Sequence, residues 1–286
     1  MQKDIETNLR TLGRHEAKIV LSFCEHGREI VTASEIISLL QNEGIARKVI
    51  YNLRKKGWIT RLTGGRYLFL PPEYGPANLG ENNPFALASA VIEPSYIGWW
   101  SAASFHGLTT QKPMTLTVAI LRQASDQVVE GNKIHFIKLV PRKFFGFKSY
   151  DVYGRKAALS TPAKTLVDCI DRPDLAGGPT EITRIVYGAS MVVSPEELAA
   201  VALQMKSTAT LQRLGFLSDL VRWKWPSNIR KRIRDAIPST VRTTFGRAKS
   251  KSGDIGYVSD WGVIAHVSEL ALLSDIPRTM KDGTSC

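Results

Sequence analysis

Cysteine is scarce in this chain and never paired: Cys24, Cys169 and Cys286 stand far apart, with no Cys-x-x-Cys spacing. Such isolated thiols exclude a disulfide framework and a cysteine-rich zinc site, and they fit a reducing compartment. The histidines (His15, His26, His106, His135, His266) show no paired ligand spacing, so neither a metal nor another cofactor is expected. His106, beside two tryptophans and before Gly107, reads as a structural histidine. No apolar run is long enough to span a membrane, and the polar start Met1-Gln2-Lys3-Asp4 lacks an apolar signal core. The expectation is a cytoplasmic protein with no membrane partner. Repeats and low-complexity runs are missing too.

Catalytic signatures are equally hard to find. There is no G-x-S-x-G elbow and no phosphate-binding lysine loop. In Ser160-Thr161-Pro162-Ala163-Lys164 the serine is four residues from the lysine, not the three that set a lysine beside a nucleophilic serine. Thr161 has that spacing, but Pro162 marks a helix start instead. Gly188-Ala189-Ser190 is not followed by the spaced acidic pair that nucleotidyl transfer requires. No catalytic residue is assigned, and the chain is not expected to be an enzyme.

What is present in excess is positive charge, +12 overall with a pI near 9.7, which points to a polyanionic partner. Its distribution is uneven: about +5 over residues 1–72, about 0 over 73–205, about +10 over 206–251 and about −3 over 252–286. The 43% hydrophobic share over this length can supply cores for roughly two domains.

The first basic block ends in IARKVIYNLRKKGWITRLTGGRYLFL, residues 45–70. Its first half has Ala46, Val49, Ile50 and Leu53 on one helical face. Arg47, Lys48, Tyr51, Asn52, Arg54 and Lys55 are left for the other. After Gly57, Trp58 and Ile59 open a strand that turns at Thr63-Gly64-Gly65 and returns through Tyr67 to Leu70. Two shorter helices precede it, one with Ala17, Val20, Leu21 and Cys24 inward and closed by Gly27. The other is capped by Thr32 or Ser34, runs through Asn42 and buries Ile36, Ile37 and Leu40. Glu43-Gly44 reads as the turn between the second and third helices. Three helices followed by a hairpin make a winged helix-turn-helix, whose third helix enters the major groove of duplex DNA. In that reading Arg47, Lys48, Tyr51 and Asn52 contact base edges. Arg54, Lys55, Lys56, Arg61, Thr63 and Arg66 hold the backbone or serve the wing.

The fold expected is α+β, a winged helix-turn-helix over 1–72 followed by a larger mixed domain over 85–275. Proline, glycine and asparagine at 73–84 make a linker, and 276–286 form a frayed tail. In the larger domain, helices are expected at 85–92, 99–107, 163–170, 180–189, 194–204, 208–223 and 227–236. Strands are expected at 115–121, 133–140 and 148–152, and 251–273 is mostly strand-like.

The second basic block carries Arg213, Arg222, Lys224, Arg230, Lys231, Arg232 and Arg234, with only Asp219 and Asp235 as nearby acids. An uncompensated cluster repels itself unless an anion meets it, so it is read as touching DNA phosphate or an acidic partner. Trp223 and Trp225 either stack on unpaired bases or anchor the segment to its core.

Two stretches, Gly98-Trp99-Trp100-Ser101-Ala102-Ala103-Ser104-Phe105-His106-Gly107-Leu108-Thr109 and Ser160-Thr161-Pro162-Ala163-Lys164-Thr165-Leu166-Val167-Asp168-Cys169-Ile170-Asp171-Arg172-Pro173, resemble a known family. With the winged-helix start and Ala176-Gly177-Gly178, the chain is similar over residues 10–270 to the AbiEi antitoxins of type IV toxin–antitoxin (abortive infection) systems, a form of phage defence. The resemblance implies a transcriptional autorepressor bound to inverted repeats in its own operon promoter. It also implies an antitoxin domain that opposes a nucleotidyltransferase-like toxin without a stable complex. The protein would be a monomer in solution, with more than one copy on the operator. Two other readings stay open from the residues alone, a DNA-targeted metal-dependent nuclease and a ligand-responsive winged-helix regulator. For the nuclease, Glu130 with Lys133 and Asp151 with Arg155 are the weak candidates.

Overall fold

A computed structural model describes residues 11–26, 30–62, 65–70, 83–129, 131–152 and 155–276. Most of the expected linker and tail, Gly27, Thr63, Gly64, Glu130 and Cys286 lie outside these. The fold is α+β, as the hydrophobic patterning implies, and it packs as two compact units. Of the described residues, the first unit takes in those up to 95 together with those within 126–134 and 151–157, and the second holds the rest. The division is therefore not a single cut near residue 73: the segments 126–134 and 151–157 return to the first unit.

In the first unit, α1 (Arg14–Glu25), β1 (Ile30–Thr32), α2 (Ala33–Leu40) and α3 (Glu43–Lys55) precede the hairpin β2 (Ile59–Arg61) and β3 (Arg66–Phe69). Thr32 caps α2 in a reciprocal box with Glu35, satisfying two backbone donors at the helix start. α2 ends at Leu40, and the left-handed Gln41 makes the turn. Glu43 and Gly44 are thus already helical, because Asn42 Oδ1 accepts the Ile45 N–H at 3.0 Å and starts α3. The short β1 was not evident in the sequence. It pairs antiparallel with β3, Val31 opposite Tyr67, giving a sheet in the order β1-β3-β2.

The unit's core joins Ile36, Ala46, Val49, Ile50 and Leu53 to Trp58, Tyr67 and Phe69. α1 contributes Ile19, Val20 and Phe23, not the expected Leu21 and Cys24, which are exposed. The helix carries two apolar stripes, and the one with Phe23 wins because its ring packs edge-on against Phe69 at 5.8 Å. Burying each of these large side chains contributes roughly 1.5–3 kcal/mol. α4 (Pro84–Val91), capped by Asn83, belongs to the same unit, as do β6 (Gln127–Val129) and the start of β7 (Asn132–Lys138), which pair antiparallel.

The second unit is built around α6 (Pro162–Asp171), in which every residue from Ala163 to Ile170 is buried. α5 (Trp99–Phe105), α7 (Pro179–Ser190), α8 (Pro195–Gln204) and α9 (Thr208–Leu220) all pack on it. The unit's sheet runs in the order β7-β5-β4-β9-β8, made by β5 (Thr115–Ile120) with the second-unit parts of β7, of β4 (Ser95–Ile97), of β8 (Phe147–Val152) and of β9 (Arg155–Ser160). Thr161 caps α6 through the Lys164 N–H, with Pro162 at its first turn, the local signal read from the sequence.

Toward the C-terminus come α10 (Ser227–Asp235), β10 (Thr243–Gly246), β11 (Gly256–Val258), β12 (Val263–His266) and α11 (Glu269–Leu272). The expectation of mostly strand over 251–273 is only partly met, since α11 closes the segment. β10 runs parallel to β12, with Phe245 beside Ala265, a non-local pairing without a local sequence signal. Gly188, weighed above as part of a transferase motif, is a packing glycine. A Cβ there would sit 2.6 Å from the Leu108 carbonyl oxygen.

Candidate nucleic-acid interface and antitoxin-domain core

At about 100° per residue, the residues opposite the buried stripe of α3 are Lys48, Tyr51 and Lys55, and all three are exposed. Tyr51 is 64% exposed, a large ring with no packing reason to face water. Arg47 also points outward and pairs with Glu43 one turn back at 2.5 Å. Both partners are well exposed, so the pair contributes only a few tenths of a kcal/mol and does not hold the arginine in place. Arg54 and Arg61 are exposed as well. With Tyr51 and Lys55 they line one shallow groove of about 410 Å³ between α3 and β2.

The other expected contact residues have internal partners. Lys56 sits near the buried stripe by the same angular count and binds Glu16 at 2.5 Å. Burial pushes the Glu16 carboxyl up, but Lys56, the Gly13 N–H and Asn52 outweigh it and hold it below the usual range. Asn52 is accordingly half-buried toward α1, not facing outward with Tyr51. Arg66 is largely covered and pairs with Glu93 at 3.3 Å. Thr63 lies outside the described residues.

In the second unit the two family-like stretches come together as buried polar core. Lys164 is fully buried, and its Nζ donates to Asp168 Oδ1 and, at 3.1 Å, to the Tyr96 hydroxyl. Tyr96 in turn donates to Asp168 Oδ2 at 3.1 Å. Phe145 covers the ammonium at 4.9 Å. Burial pushes the Asp168 carboxyl up while Lys164 and Tyr96 pull it down, and burial beside Asp168 pushes the Tyr96 phenol well up. Lys164 is thus tied to Asp168 one turn on, not to Thr161, whose oxygen caps the helix. This triad was missed in sequence; its only local sign was the i, i+4 spacing of Lys164 and Asp168.

Around the triad, His106 Nε2 bonds the Ser160 carbonyl at 2.7 Å, and burial holds its pKa below the usual value. Trp100 Nε1 donates to Glu181 at 3.2 Å. Trp99 adopts a left-handed φ of 50° while buried, a conformation that costs of order 1–3 kcal/mol and persists only because the surroundings enforce it.

Asp171 accepts from Lys143 at 2.5 Å and from Thr210 at 2.9 Å. Burial pushes this carboxyl up, but Lys143 and Thr210 win and hold it below the usual range. A depressed acid stabilises the fold above its unfolded pKa and loses that contribution as pH falls through the folded value. Asp171→Asn should therefore flatten the loss of stability below about pH 4, as read by unfolding at stepped acidic pH. An unchanged acid limb would remove Asp171 from that role.

The second basic block is less uniform than its sequence suggests. Arg213 is turned inward, donating to the Ile170 and Thr244 carbonyls at 3.3 and 3.1 Å. Arg230 makes a two-pronged contact with Asp219 and lies over the Trp261 ring at 4.9 Å. The Trp261 Nε1 also donates to Asp219, at 2.6 Å. Asp260 stands 3.9 Å from both Arg230 and Arg234, and Asp254 pairs with Arg247 at 2.5 Å. The acidic excess of the last segment is folded back onto the block, so it is not uncompensated. Arg222, Lys224, Lys231 and Arg232 remain exposed. Trp223 and Trp225 are half-buried against the core, edge to face at 6.1 Å, which favours anchoring over stacking on bases.

These features define a class: an α+β protein joining a basic helix-and-hairpin unit to a larger unit centred on a buried helix with its own ion pair. Residues 96–220 match the family model of the AbiEi antitoxin C-terminal domain. The chain therefore carries an AbiEi antitoxin C-terminal domain over that segment, in line with the resemblance read from the sequence. The matched segment contains Tyr96, Lys164 and Asp168 as well as both family-like stretches. Among solved structures, the crystal structure of RV2827C protein from Mycobacterium tuberculosis is similar with a TM-score of 0.62 and 17% identity, over 93% of this chain and 95% of that one. At that identity the likeness is one of fold. No curated protein sequence matches the chain.

Proposed function

We propose that this protein is an antitoxin of a toxin–antitoxin system and that it also represses its own operon. Residues 1–72 work as a winged helix-turn-helix on inverted repeats in the promoter, and residues 85–275 counteract a nucleotidyltransferase-like toxin without a stable complex. The protein acts in the cytoplasm, where it is monomeric until more than one copy assembles on the operator. The observation that carries the DNA-binding half is the outward face of α3, where Lys48, Tyr51 and Lys55 stand opposite the core and the last two share a groove with Arg54 and Arg61. A basic helix beside a basic hairpin matches duplex DNA in charge and in shape.

In this reading Arg47, Lys48 and Tyr51 contact base edges, while Arg54, Lys55 and Arg61 take phosphates. Lys56, Asn52 and Arg66 serve internal contacts. Lys55→Ala should weaken operator and unrelated duplexes alike and flatten the salt dependence by roughly one unit. Arg47→Ala should cost about 1–3 kcal/mol on the operator only, as expected of a guanine contact. Fluorescence anisotropy over a salt series measures both. Equal, salt-insensitive binding by the two variants would overturn the assignment. The antitoxin half is tested by co-expressing the chain with the toxin: residues 85–275 alone should restore growth without repressing the promoter.

A further inference from the structure

A half-enclosed pocket of about 200 Å³ lies in the second unit, far along the chain from the helix-and-hairpin face. Its walls are the chain following α10 and the turn between β11 and β12. The lining is mostly polar. Buried Gln212 holds the two walls together. Its Nε2 donates to the Val241 carbonyl at 2.9 Å and the Gly262 carbonyl at 3.3 Å, and its Oε1 accepts from Thr243 at 2.5 Å. The pocket is thus formed in advance of any ligand.

Two guanidinium groups face it from different elements. Arg242 is oriented by its Nη1, which donates to the Ser239 and Val241 carbonyls at 2.6 and 3.1 Å, and by the Tyr257 ring at 5.1 Å. Its remaining nitrogens have no hydrogen bond among the described residues. Arg234 lies over Trp261 at 5.6 Å and is drawn by Asp260 at 3.9 Å, beyond hydrogen-bond reach. It makes no hydrogen bond among the described residues. The neighbouring Arg230 is bound by Asp219. The balance in the pocket is therefore two arginines against the one carboxylate of Asp260.

A carboxylate presents only two oxygens, both engaged when one guanidinium fork binds it, whereas a phosphomonoester presents three charged oxygens in a tetrahedral array that two forks can grip from different sides. Ser239 and Ser259 line the same space and can bond a further oxygen. The volume is below the roughly 300–1,000 Å³ of drug-sized ligand sites, so the ligand is a phosphate on a compact group. We propose that this pocket binds a small phosphomonoester, with its phosphate held between Arg234 and Arg242.

The test is calorimetric titration of the full chain at fixed ionic strength with ribose 5-phosphate, inorganic phosphate and ribose. Ribose 5-phosphate should bind saturably at one site per chain, and ribose should not bind. Arg234→Gln and Arg242→Gln should each weaken binding at least tenfold, while Lys231→Gln, on α10 outside the pocket, should change it less than twofold. If Arg242→Gln unfolds the loop that its Nη1 holds, Arg234→Gln carries the test, because that side chain supports no hydrogen bond of the fold. Binding of inorganic phosphate at equal strength, lost in the same variants, also supports the site and identifies free phosphate as a sufficient ligand. Absence of saturation, equal binding of ribose, or equal weakening by Lys231→Gln would each overturn it.

Discussion

Lys164→Ala should destabilise the second unit by about 3–5 kcal/mol, because it strips the counter-charge from a carboxylate that water cannot reach. The side chain is fully buried, and its ammonium satisfies Asp168 and Tyr96 together. The alanine also leaves the space once filled by the lysine stem, which runs so close to Gly146 that a Cβ there would sit 3.0 Å from it. Urea unfolding followed by tryptophan fluorescence measures the loss. The double variant Lys164→Met with Asp168→Leu separates the causes. With both charges gone and the volume refilled, most of the stability should return. A double variant as unstable as the single one would show that packing, and not the orphaned carboxylate, sets the cost.

Trp261→Ala should cost a comparable 3–5 kcal/mol, the usual range for removing a buried large aromatic. The ring is 1% exposed, sits where Gly215 leaves it room in the middle of α9, carries Arg230 on its face and bonds Asp219 through its indole nitrogen. Any side chain at Gly215 would overlap it. Trp261→Phe keeps most of the packing but deletes the N–H donor, so it should fall well short of the alanine variant. Thermal unfolding of the three proteins gives the comparison, and equal melting temperatures for tryptophan and alanine would refute the role. Since Trp261 also walls the phosphate pocket, its alanine variant should lose ribose 5-phosphate binding even where the fold survives.

Much of the architecture was legible because it is encoded locally. Thr32 and Thr161 are hydroxyl caps at the starts of the helices they were expected to open, and Ala46, Val49, Ile50 and Leu53 recur at helical spacing and are all buried. What was misread lay at the borders of that spacing. Asn52 and Lys56 are polar by type and so were counted on the outward face, yet both turn to Glu16 on α1. That carboxylate is 40 residues away from Lys56 in the chain, and nothing near α3 announces it. The short strands β1 and β10 were missed for the same reason, since each exists only through a distant partner.

The chain's charge blocks, its helix caps and its family likeness were determined by the sequence alone, because each depends on residue type or on neighbours within a turn. The uses of the charges were decided only in three dimensions. Folding sends Lys164 inward onto Asp168, brings Asp260 onto Arg230 and Arg234, which it does not adjoin in sequence, and leaves Arg234 and Arg242 facing one pocket. Coulomb interactions depend on distance and burial, not on position along the chain. A count of arginines and lysines therefore names the kind of partner, while the packing selects which of them are left to meet it.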